Sequence, residues 1–584
     1  MRYVIGVALF LFLFSITFVK ADDLNVDLGR HLVSGEIITK SLNIPHVNNF
    51  SYTNLQYPFV NHYWLTEVIF YILSSVFGLI SLFYLKEILI ILAVGVIVYY
   101  SFKRYGTFST GTAAMLVLPF FIVRNPIRPE LFGYLFFSIV LYLLLAYPES
   151  KKKLLVLPLI MFSWVNLSIT FVYGVLIIGV FLLKYIFSHN TFSEIFNSNV
   201  YKTLLKKREF IILIGSIIVL LLNPHGIIGM LEPFYILKTS VFTLSEMVPI
   251  WTAIQTNPHP IYHYIFYLCM MTPIVSIYLL VRKKYILSFI LTTVLILSMF
   301  QNRNITFFLL IFIPSAAFVI KDLGSLFIKK LGVKPINMVR IHAEVILAIL
   351  VLLLSLPFFT NYFYKTFDIK EEFGAGFYET LAPAVSFLQT NKLPENIFNN
   401  FNMAGYLIYK TYPKYKPFID NRPEAFSDDF VTNTYLPIFT NDSLRKKIFT
   451  QYNIQTVILQ LDSGDQGARR LASVLYKDSS WRLAYLDSST VIFTTDKKIK
   501  DIKSQRTLFE QMILTNNNYL ELGKLASNLV LFGDNQLATV ALEKANQINP
   551  DSCNIKRIIY SSFVNSGKYA NAEYIKGDKW YCFY

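Results

Sequence analysis

Acidic side chains cluster directly after the first apolar segment of the chain. The stretch DDLNVDLGRHLVSGE (22–36) contains Asp22, Asp23, Asp27 and Glu36, and it follows the run YVIGVALFLFLFSITFV. A carboxylate that a substrate can reach is able to accept the proton of an attacking hydroxyl group, which is general-base chemistry. Because these acids adjoin an apolar run, that chemistry would take place at the surface of a membrane.

Asp27 is the first candidate for such a base, and Asp23 and Asp22 are alternatives to it. Each of the three could instead cap a helix or belong to a solvated turn. Cations that could hold an anionic group stand at Arg128 and Arg303, because arginine binds phosphate through charge-assisted, paired hydrogen bonds. The competing interpretation is that both arginines anchor helix ends among lipid headgroups.

The composition points to a membrane protein. Of the 584 residues, 54% are hydrophobic and only 15% are charged, whereas soluble domains carry about 25% charged residues. The net charge of +16 comes from short basic clusters between apolar runs, which argues against a nucleic-acid partner. Three cysteines are too few for a disulfide framework or a metal cluster.

Apolar segments long enough to cross about 30 Å of hydrocarbon recur up to residue 360 and then stop. We expect the first to be an uncleaved anchor, although Val19 and Ala21 would also fit a signal-peptide cleavage site. About eleven spans are predicted: 3–19, 84–102, 107–124, 131–148, 154–168, 171–188, 209–222, 263–281, 285–300, 305–320 and 342–359.

Basic residues in the short loops set the orientation. If Arg2 is cytoplasmic, the cytoplasmic loops contain the basic clusters Lys103–Arg104, Lys151–Lys153, Lys202 with Lys206–Arg208, Arg282–Lys284 and Lys321 through Arg340. The outer loops contain only scattered basic residues. An odd number of spans then places the amino terminus in the cytoplasm and everything after about residue 360 outside.

The segment WLTEVIFYILSSVFG (64–78) looks like a further span, but counting it would reverse the charge asymmetry of the loops that follow. Polar residues from Glu67 to Gly78 recur at helical spacing. We therefore predict an amphipathic helix lying in the interface, within an outer loop over 21–83. Further polar residues that could line a site on this side, or serve only as interfacial side chains, are His62, Glu67, His225 and Glu246.

Residues 361–500 change in character, and short apolar strands there alternate with polar or helical segments. This pattern predicts a small α/β domain with strands at NIFNN, YLIY, PFID, TVILQ and RLAYLD. RLAYLDSSTVIFTT predicts a hairpin that turns at Asp487–Ser488–Ser489. Asp420, Arg422 and Glu424 could contact an acceptor, and a buried structural ion pair is the preferred interpretation.

Residues 501–584 read as helices with tetratricopeptide-like (TPR-like) spacing of small residues. The residues at this spacing are Gly533, Ala538, Ala545 and Pro550, followed by Gly567 and Ala572, which recur 34 residues after the first two. Stable arrays need about three repeats, so we expect a helical cap or a docking point for a protein partner. Cys553 and Cys582 would share the outer compartment and could pair.

The outer loop and several later segments are similar to a known family. DLGRHLVSGEII, NIPHVNNFSYTN and PFVNHYWLTEVIFY resemble the first outer loop of polytopic GT-C-fold glycosyltransferases, in particular the bacterial RgtA/B/C/D-like and dolichyl-phosphate-mannose mannosyltransferase-like group. Other pieces that fit are NPIRPELFGYL (125–135), NPHG (223–226), QNRNITFFLLIFIP (301–314) and FNMAGYLIYKTYPKYKPFIDNRPEAF (401–426). The resemblance covers nearly the whole chain.

The resemblance implies a mostly α-helical, polytopic enzyme of the bacterial plasma membrane. It would transfer a sugar from a polyprenyl-phosphate donor to an acceptor glycan, lipid or protein on the outer face. An acid of the outer loop would then be the general base, and Arg128, Arg303 and His225 would bind the donor phosphate. A divalent cation could bridge Asp27 and the phosphate, although no residue spacing requires one, and no other cofactor is expected.

Three other functions stay open. A lipid-linked glycan transporter would place ionisable groups at mid-bilayer and show related halves, and neither feature is obvious in the sequence. A polysaccharide polymerase or ligase would share the substrate class. A non-catalytic assembly protein would use the outer domain and the TPR-like segment for binding, with the membrane part as an anchor.

Overall fold

The computed structural model describes residues 1–187, 204, 207–236, 247–256, 261–332, 337–461, 464–565 and 582. Within these residues the chain is mostly helical, with one four-stranded sheet in its carboxyl-terminal half. Apolar runs in lipid must form helices, because no water is present to bond their backbone groups.

The helices up to residue 359 belong either to the membrane part or to the loops that connect its spans. In chain order they are α1 (Arg2–Thr17), α2 (Leu28–Ser41), α3 (Trp64–Phe77), α4 (Ile80–Tyr105), α5 (Thr107–Val117), α6 (Glu130–Ala146), α7 (Lys151–Leu154), α8 (Leu157–Leu167), α9 (Val172–Phe187), α10 (Arg208–Ile218), α11 (Gly226–Ile236), α12 (Ile250–Thr256), α13 (Ile261–Val281), α14 (Tyr285–Phe300), α15 (Ile305–Leu331) and α16 (Asn337–Phe359). Short 3-10 turns precede α2, α6, α9 and α15.

The chain is a multi-pass membrane protein. Among the described residues, six helical segments are long and apolar enough to cross a membrane, and α10 with α11, bent by 88° at their junction, could form a seventh. The apolar helices α1, α6 and α14 are shorter, at 16, 17 and 16 residues. Every predicted span coincides with a helix, while the number of crossings, predicted as about eleven, stays a prediction.

Helices α2 and α3 pack side by side within the predicted outer loop. They cross at Gly35, where a Cβ atom would collide with the backbone of Glu67. At 14 residues, α3 is about 21 Å long, which is too short to cross the hydrocarbon core. Its buried residues are Thr66, Glu67 and Phe70. Glu67, the first residue of the predicted polar stripe, therefore faces the protein interior. The interfacial position of α3 stays a prediction.

The predicted α/β domain contains a mixed sheet. Its strands are β1 (Ile397–Asn399), β2 (Thr456–Gln460), β3 (Arg482–Leu486) and β4 (Thr490–Thr494). The order is β1-β2-β4-β3, with β1 parallel to β2 and the other neighbours antiparallel. The predicted hairpin is β3–β4, and Asp487 fixes its turn by accepting hydrogen bonds from the backbone N–H groups of Ser489 and Thr490, both at 2.7 Å.

Two of the five predicted strands are wrong. YLIY lies inside a helix, because a short apolar run fits a buried helix as well as a strand, and Tyr406, Leu407 and Ile408 are all buried there. PFID forms no strand, since the backbone N–H of Phe418 donates to the side chain of Asn399 instead of to a sheet. The helices of this part are α17 (Tyr362–Thr366), α18 (Ala382–Thr390), α19 (Ala404–Thr411), α20 (Asp428–Phe430), α21 (Pro437–Thr440), α22 (Asp442–Gln451) and α23 (Gln466–Lys477).

Four helices follow the sheet: α24 (Arg506–Thr515), α25 (Tyr519–Leu531), α26 (Asn535–Ile548) and α27 (Cys553–Asn565). Gly533, with a φ of +89°, makes the tight turn between α25 and α26. Ala538 and Ala545 are buried, in agreement with the predicted spacing. Gly567 and Ala572 lie outside the described residues, so the TPR-like assignment stays a prediction. Cys553 and Cys582 form a disulfide bond.

The α/β domain is joined to the first outer loop over a wide contact. Residues 19–21, after α1, pair with residues 373–377 through short bridges. Helix α2 then crosses α19 at Gly29 and Gly405, where a Cβ on Gly405 would overlap the carbonyl group of Val26. This close approach brings the residues at the start of α2 against the α/β domain.

Candidate functional site

A cavity of about 1460 Å³ lies between the ends of several membrane helices and the α/β domain. Its wall combines the start of α2, the turns before α6 and α15, and loops of the α/β domain. Asp27, Arg128 and Arg303 all line it. These three residues come from distant parts of the sequence, and the fold brings them to one cavity.

Asp27 occupies the N-cap position of α2, but its side chain makes no capping hydrogen bond. The carboxylate instead lies in the cavity wall, with 18% of the side chain exposed. Helix capping, the alternative role for this residue, therefore does not account for its side-chain position. A carboxylate that is mostly shielded yet reachable can accept a proton from a bound ligand.

Three neighbours hold the Asp27 carboxylate. Arg128 contacts one oxygen at 2.7 Å, and Arg30 lies 3.7 Å from the other. Asn421, from the α/β domain, donates its amide N–H to that second oxygen and also to the carbonyl group of Val26 at 2.7 Å. The position of Asp27 thus depends on the first outer loop, the membrane part and the α/β domain together.

A buried network lies behind Asp27. The Glu67 side chain, 1% exposed, accepts hydrogen bonds from His31 at 2.9 Å and from Asn61 at 2.6 Å, and its carboxylate lies 3.7 Å from Arg30. Arg30 approaches the other ring nitrogen of His31 at 3.3 Å. Burial and the adjacent Arg30 charge lower the pKa of His31, so the ring is neutral and donates from Nδ1 to Glu67. Glu67 therefore positions Arg30 and does not line the cavity itself.

Arginines gather in the wall of the cavity. Arg303 lies in the turn Asn302–Asn304 before α15, half-buried, and it has no ion-pair partner among the described residues. Arg124 and Arg30 also line the cavity. The sequence interpretation missed both as site residues, although Arg124 precedes Arg128 by four residues and Arg30 follows Asp27 by three.

His62 also lines the cavity, with its ring buried. Its Nδ1 donates to the carbonyl group of Val60 at 3.1 Å, which leaves Nε2 as an acceptor. Nε2 is buried without a hydrogen-bond partner among the described residues. Burial lowers the pKa of His62 to about 3, so at neutral pH this nitrogen can accept a hydrogen bond from a ligand.

Acidic groups occupy other parts of the wall. Glu424, which follows the buried Asp420–Arg422 pair, lines the cavity, and burial raises its pKa. Glu130, at the start of α6, and Asp465 also line it. Asp465 has a structural role, because its carboxylate accepts hydrogen bonds from the backbone N–H of Ala468 and from the side-chain amide of Asn400, both at 2.9 Å.

The preferred interpretation of Asp420 and Arg422 as a buried ion pair is confirmed. Arg422 donates to both carboxylate oxygens of Asp420 at 2.8 Å, and to Asn48 of the first outer loop at 2.9 Å. The guanidinium lies between the rings of Phe50 and Phe59, at 4.7 and 4.6 Å from their centroids. This pair ties the outer loop to the α/β domain, beside Glu424.

Several predicted site residues lie elsewhere. Asp22 is half-exposed and pairs with Lys370 at 3.1 Å, away from the cavity lining. Asp23 lies in the short helical turn before α2, and its side chain is not among those that the structure describes. His225 packs against His46, with 4.8 Å between ring centroids, and does not line the cavity. Glu246 falls outside the described residues.

Within the part of the chain that the structure describes, no group of three or more His, Cys, Asp or Glu side chains could hold a metal ion. Of the carboxylates in the cavity wall, Asp27 comes from the outer loop, Glu130 from the start of α6, and Glu424 and Asp465 from the α/β domain. A cation bridging Asp27 and a ligand phosphate would need ligand atoms for most of its coordination sphere.

Comparison with protein-family models and with curated protein sequences found no match. Solved structures are similar, however. The archaeal oligosaccharyltransferase AglB from Archaeoglobus fulgidus, in complex with an inhibitory peptide and a dolichol-phosphate, aligns with a TM-score of 0.53 at 11% identity, over 85% of this chain and 74% of that chain.

ArnT from Cupriavidus metallidurans also aligns, with TM-scores of 0.46 in the apo state and 0.43 when bound to undecaprenyl phosphate. Each alignment has 11% identity and covers 85% of this chain and 98% of that chain. At this identity the likeness concerns the fold alone. The likeness to AglB shows that the chain has a membrane fold of GT-C type, the fold that its outer loop implied.

Proposed function

We propose that the chain is an integral membrane glycosyltransferase that moves a sugar from a polyprenyl-phosphate donor to an acceptor. The observation that carries this proposal is the meeting of Asp27, Arg128 and Arg303 in one cavity at the ends of the membrane helices. A donor with its tail in lipid carries its phosphate and reactive carbon at headgroup level. The cavity supplies a carboxylate and several guanidinium groups at that level.

Each group has a distinct part in the proposed reaction. Asp27 accepts the proton of the acceptor hydroxyl as it attacks the sugar carbon, and the bond from that carbon to the phosphate oxygen breaks. The phosphate leaves with additional negative charge, which Arg128 and Arg303 stabilise through charge-assisted hydrogen bonds. Arg303 has no ion-pair partner among the described residues, so it can bind phosphate without losing an existing ion pair.

The size of the cavity supports two simultaneous substrates. Sites for single small ligands are about 300–1,000 Å³, and this cavity is about 1460 Å³. Arg124, Arg128 and Arg303 come from turns at the ends of membrane helices, where a lipid-linked donor would enter, while Glu424 and Asn421 belong to the α/β domain. AglB, which shares the fold, was solved with a dolichol-phosphate and a peptide together.

We also propose that the cavity and the α/β domain face the outside of a bacterial plasma membrane. The basic clusters at Lys103–Arg104 and Arg282–Lys284 lie at the opposite ends of the membrane helices, as the positive-inside rule requires of cytoplasmic loops. The Cys553–Cys582 disulfide lies on the same side as the α/β domain and suits an oxidising compartment. Protease accessibility of the carboxyl-terminal part in sealed vesicles tests this orientation.

The test of the function is a transfer assay. The purified protein is incubated with a panel of radiolabelled polyprenyl-phosphate sugars and a cell-envelope extract as the source of acceptor. The proposal expects transfer from at least one donor, and comparison with and without a chelator shows whether a divalent cation takes part. Transfer from none of the donors would favour the assembly role, in which the α/β domain and the TPR-like helices bind partners.

A further inference from the structure

A second cavity, of about 1090 Å³, lies at the other end of the same membrane helices. Helix α15 and the turn before it run from Arg303 in the first cavity to Lys321 in the second. At 1.5 Å per residue this distance is about 27 Å, close to the thickness of the hydrocarbon core. The second cavity therefore lies at headgroup level on the opposite membrane face. We name it the basic groove.

Cations surround the basic groove: Arg104, Lys184, Lys283, Lys284 and Lys321 all line it. Asp322 is the acidic side chain among the described lining residues, and it is already neutralised. Arg282 contacts it at 2.7 Å, and Tyr278 donates a hydrogen bond to it at 2.7 Å. The groove therefore carries a large excess of positive charge at its rim.

Local contacts hold these cations beside the groove. The ammonium group of Lys284 lies 5.3 Å from the centroid of the Phe318 ring, and that of Lys184 lies 5.9 Å from the Phe181 ring. Lys321 donates to the carbonyl group of Arg104 at 3.1 Å, at the end of α4. Contact with an aromatic face favours a cation even without an anionic partner.

The wall of the basic groove is apolar. Leu183, Phe187, Tyr285 and Phe289 line it, and each is at least half exposed. A free inorganic phosphate would meet the cations but would leave this wall uncovered. A lipid with an anionic head covers both, because its phosphate meets the cations and its acyl chain meets the apolar side chains.

We propose that the basic groove binds one anionic phospholipid. The headgroup phosphate contacts Lys283, Lys284 and Arg104, and an acyl chain lies against Leu183 and Phe289. This site is distinct from the sugar-transfer cavity, and the proposal does not rest on the proposed enzymatic function. The bound lipid would lie against α9 and α14, two helices of the membrane part that contact each other directly.

Native mass spectrometry of the purified full-length protein tests this site. The protein in detergent is titrated with phosphatidylglycerol, with phosphatidylethanolamine, and with phosphatidylglycerol in the presence of inorganic phosphate. We expect one phosphatidylglycerol to bind with at least about tenfold preference over phosphatidylethanolamine. Equal binding of the two lipids, or displacement by an equal concentration of inorganic phosphate, would overturn the proposal.

A matched pair of charge variants locates the binding. The triple variant Arg104→Gln, Lys283→Gln and Lys284→Gln should weaken phosphatidylglycerol binding by about tenfold or more. The control removes three charges from the exposed cluster Lys151–Lys153, on the same membrane face but outside the groove. An equal loss of phosphatidylglycerol binding in both variants would show that the lipid responds to the overall surface charge and not to the groove, and it would contradict the proposal. If the triple variant fails to fold, the preference of the unaltered protein for phosphatidylglycerol over phosphatidylethanolamine still tests the proposal.

Discussion

Arg128 and Asp27 form an ion pair, with 2.7 Å between a guanidinium nitrogen and a carboxylate oxygen. Arg128 comes from the turn before α6, and Asp27 from the start of α2. Arg128, which would bind the donor phosphate, and Asp27, the candidate base, are thus in direct contact before any substrate binds. In the proposed reaction the donor phosphate competes with Asp27 for Arg128, and that competition would free the carboxylate to accept a proton.

Replacing Arg303 by Gln should lower kcat/KM for the lipid-linked donor by about tenfold to a hundredfold, because a charge-assisted hydrogen bond to the phosphate contributes about 1.5–3 kcal/mol. The loss should appear for every acceptor, since the phosphate belongs to the donor. The measurement is the rate of labelled-sugar transfer over a range of donor concentrations.

The control for this change is Arg506→Gln, which removes an arginine from an exposed pair with Glu510 on α24. An exposed pair contributes little, so transfer should stay within about twofold of the unaltered protein. If Arg303→Gln behaved like the control, Arg303 would be a headgroup anchor and would have no part in binding the phosphate.

His62 should make the protein less stable in acid. Its pKa in the folded protein is lowered to about 3 from 6.5. Between these values the unfolded chain binds a proton at His62 and the folded protein does not, so stability falls as the pH decreases below 6.5. At pH 5 the loss from this residue is about 2 kcal/mol at most.

Thermal unfolding at pH 7 and pH 5 measures this effect. His62→Asn keeps a donor for the Val60 carbonyl group but cannot be protonated, so it should show a smaller drop in Tm on acidification than the unaltered protein. Some drop should persist, because the lowered pKa of His31 acts in the same direction. The same exchange at the exposed His342 is the control. An unchanged pH dependence in His62→Asn would contradict the assignment.

Glu67 and Arg30 should be energetically coupled. Glu67→Gln removes one of the two carboxylates that lie 3.7 Å from the buried Arg30, and removing one partner of a buried pair costs about 3 kcal/mol or more. Adding Arg30→Gln to that variant should cost less than Arg30→Gln alone, because the pair is already broken. Tm values of the two single variants and the double variant measure the coupling. Purely additive losses would show that the 3.7 Å contact contributes nothing.

The contact between α2 and α19 should not tolerate a methyl group. Gly405→Ala places a Cβ against the carbonyl group of Val26, where no flexible side chain can move away. The variant should lower Tm and reduce transfer, because Asp27 lies next to Val26. Gly95→Ala in α4 is the matched control, since nothing lies within 4 Å of its Cβ position. Alanine in an open helical position should leave stability unchanged or raise it by up to about 1 kcal/mol.

Local sequence patterns predicted the helices of the membrane part and the β3–β4 hairpin. Long apolar runs in lipid can only be helices, and the Asp-Ser-Ser turn selects a hairpin. The same patterns failed for YLIY and PFID. Four apolar or mixed residues do not distinguish strand from helix, and the choice depends on tertiary partners such as Asn399.

The candidate site was predictable only in part. The acids after the first apolar segment indicated Asp27, and charges at the outer ends of spans indicated Arg128 and Arg303. The fold places these three residues in one cavity. Pairings across the chain, such as Asn421 with Asp27 or Arg422 with Asn48, depend on how the α/β domain docks on the outer loop. No local spacing encodes that docking. The position of Asp22 outside the cavity follows from the same geometry.

The transfer rate of Asp27→Asn decides whether Asp27 is the general base. This change keeps the size of the side chain and its neighbours but removes the group that accepts a proton. With a donor that the unaltered protein uses, we expect a rate reduced by about a hundredfold or more, since general-base catalysis contributes a factor of about 10²–10⁴. Unchanged Tm and elution volume would show that the variant is folded.

Asp22→Asn is the matched control, because Asp22 lies in the same outer loop but does not line the cavity. Its transfer rate should stay close to that of the unaltered protein. A folded Asp27→Asn variant with full activity, or equal loss in both variants, would contradict the role of Asp27 as the base.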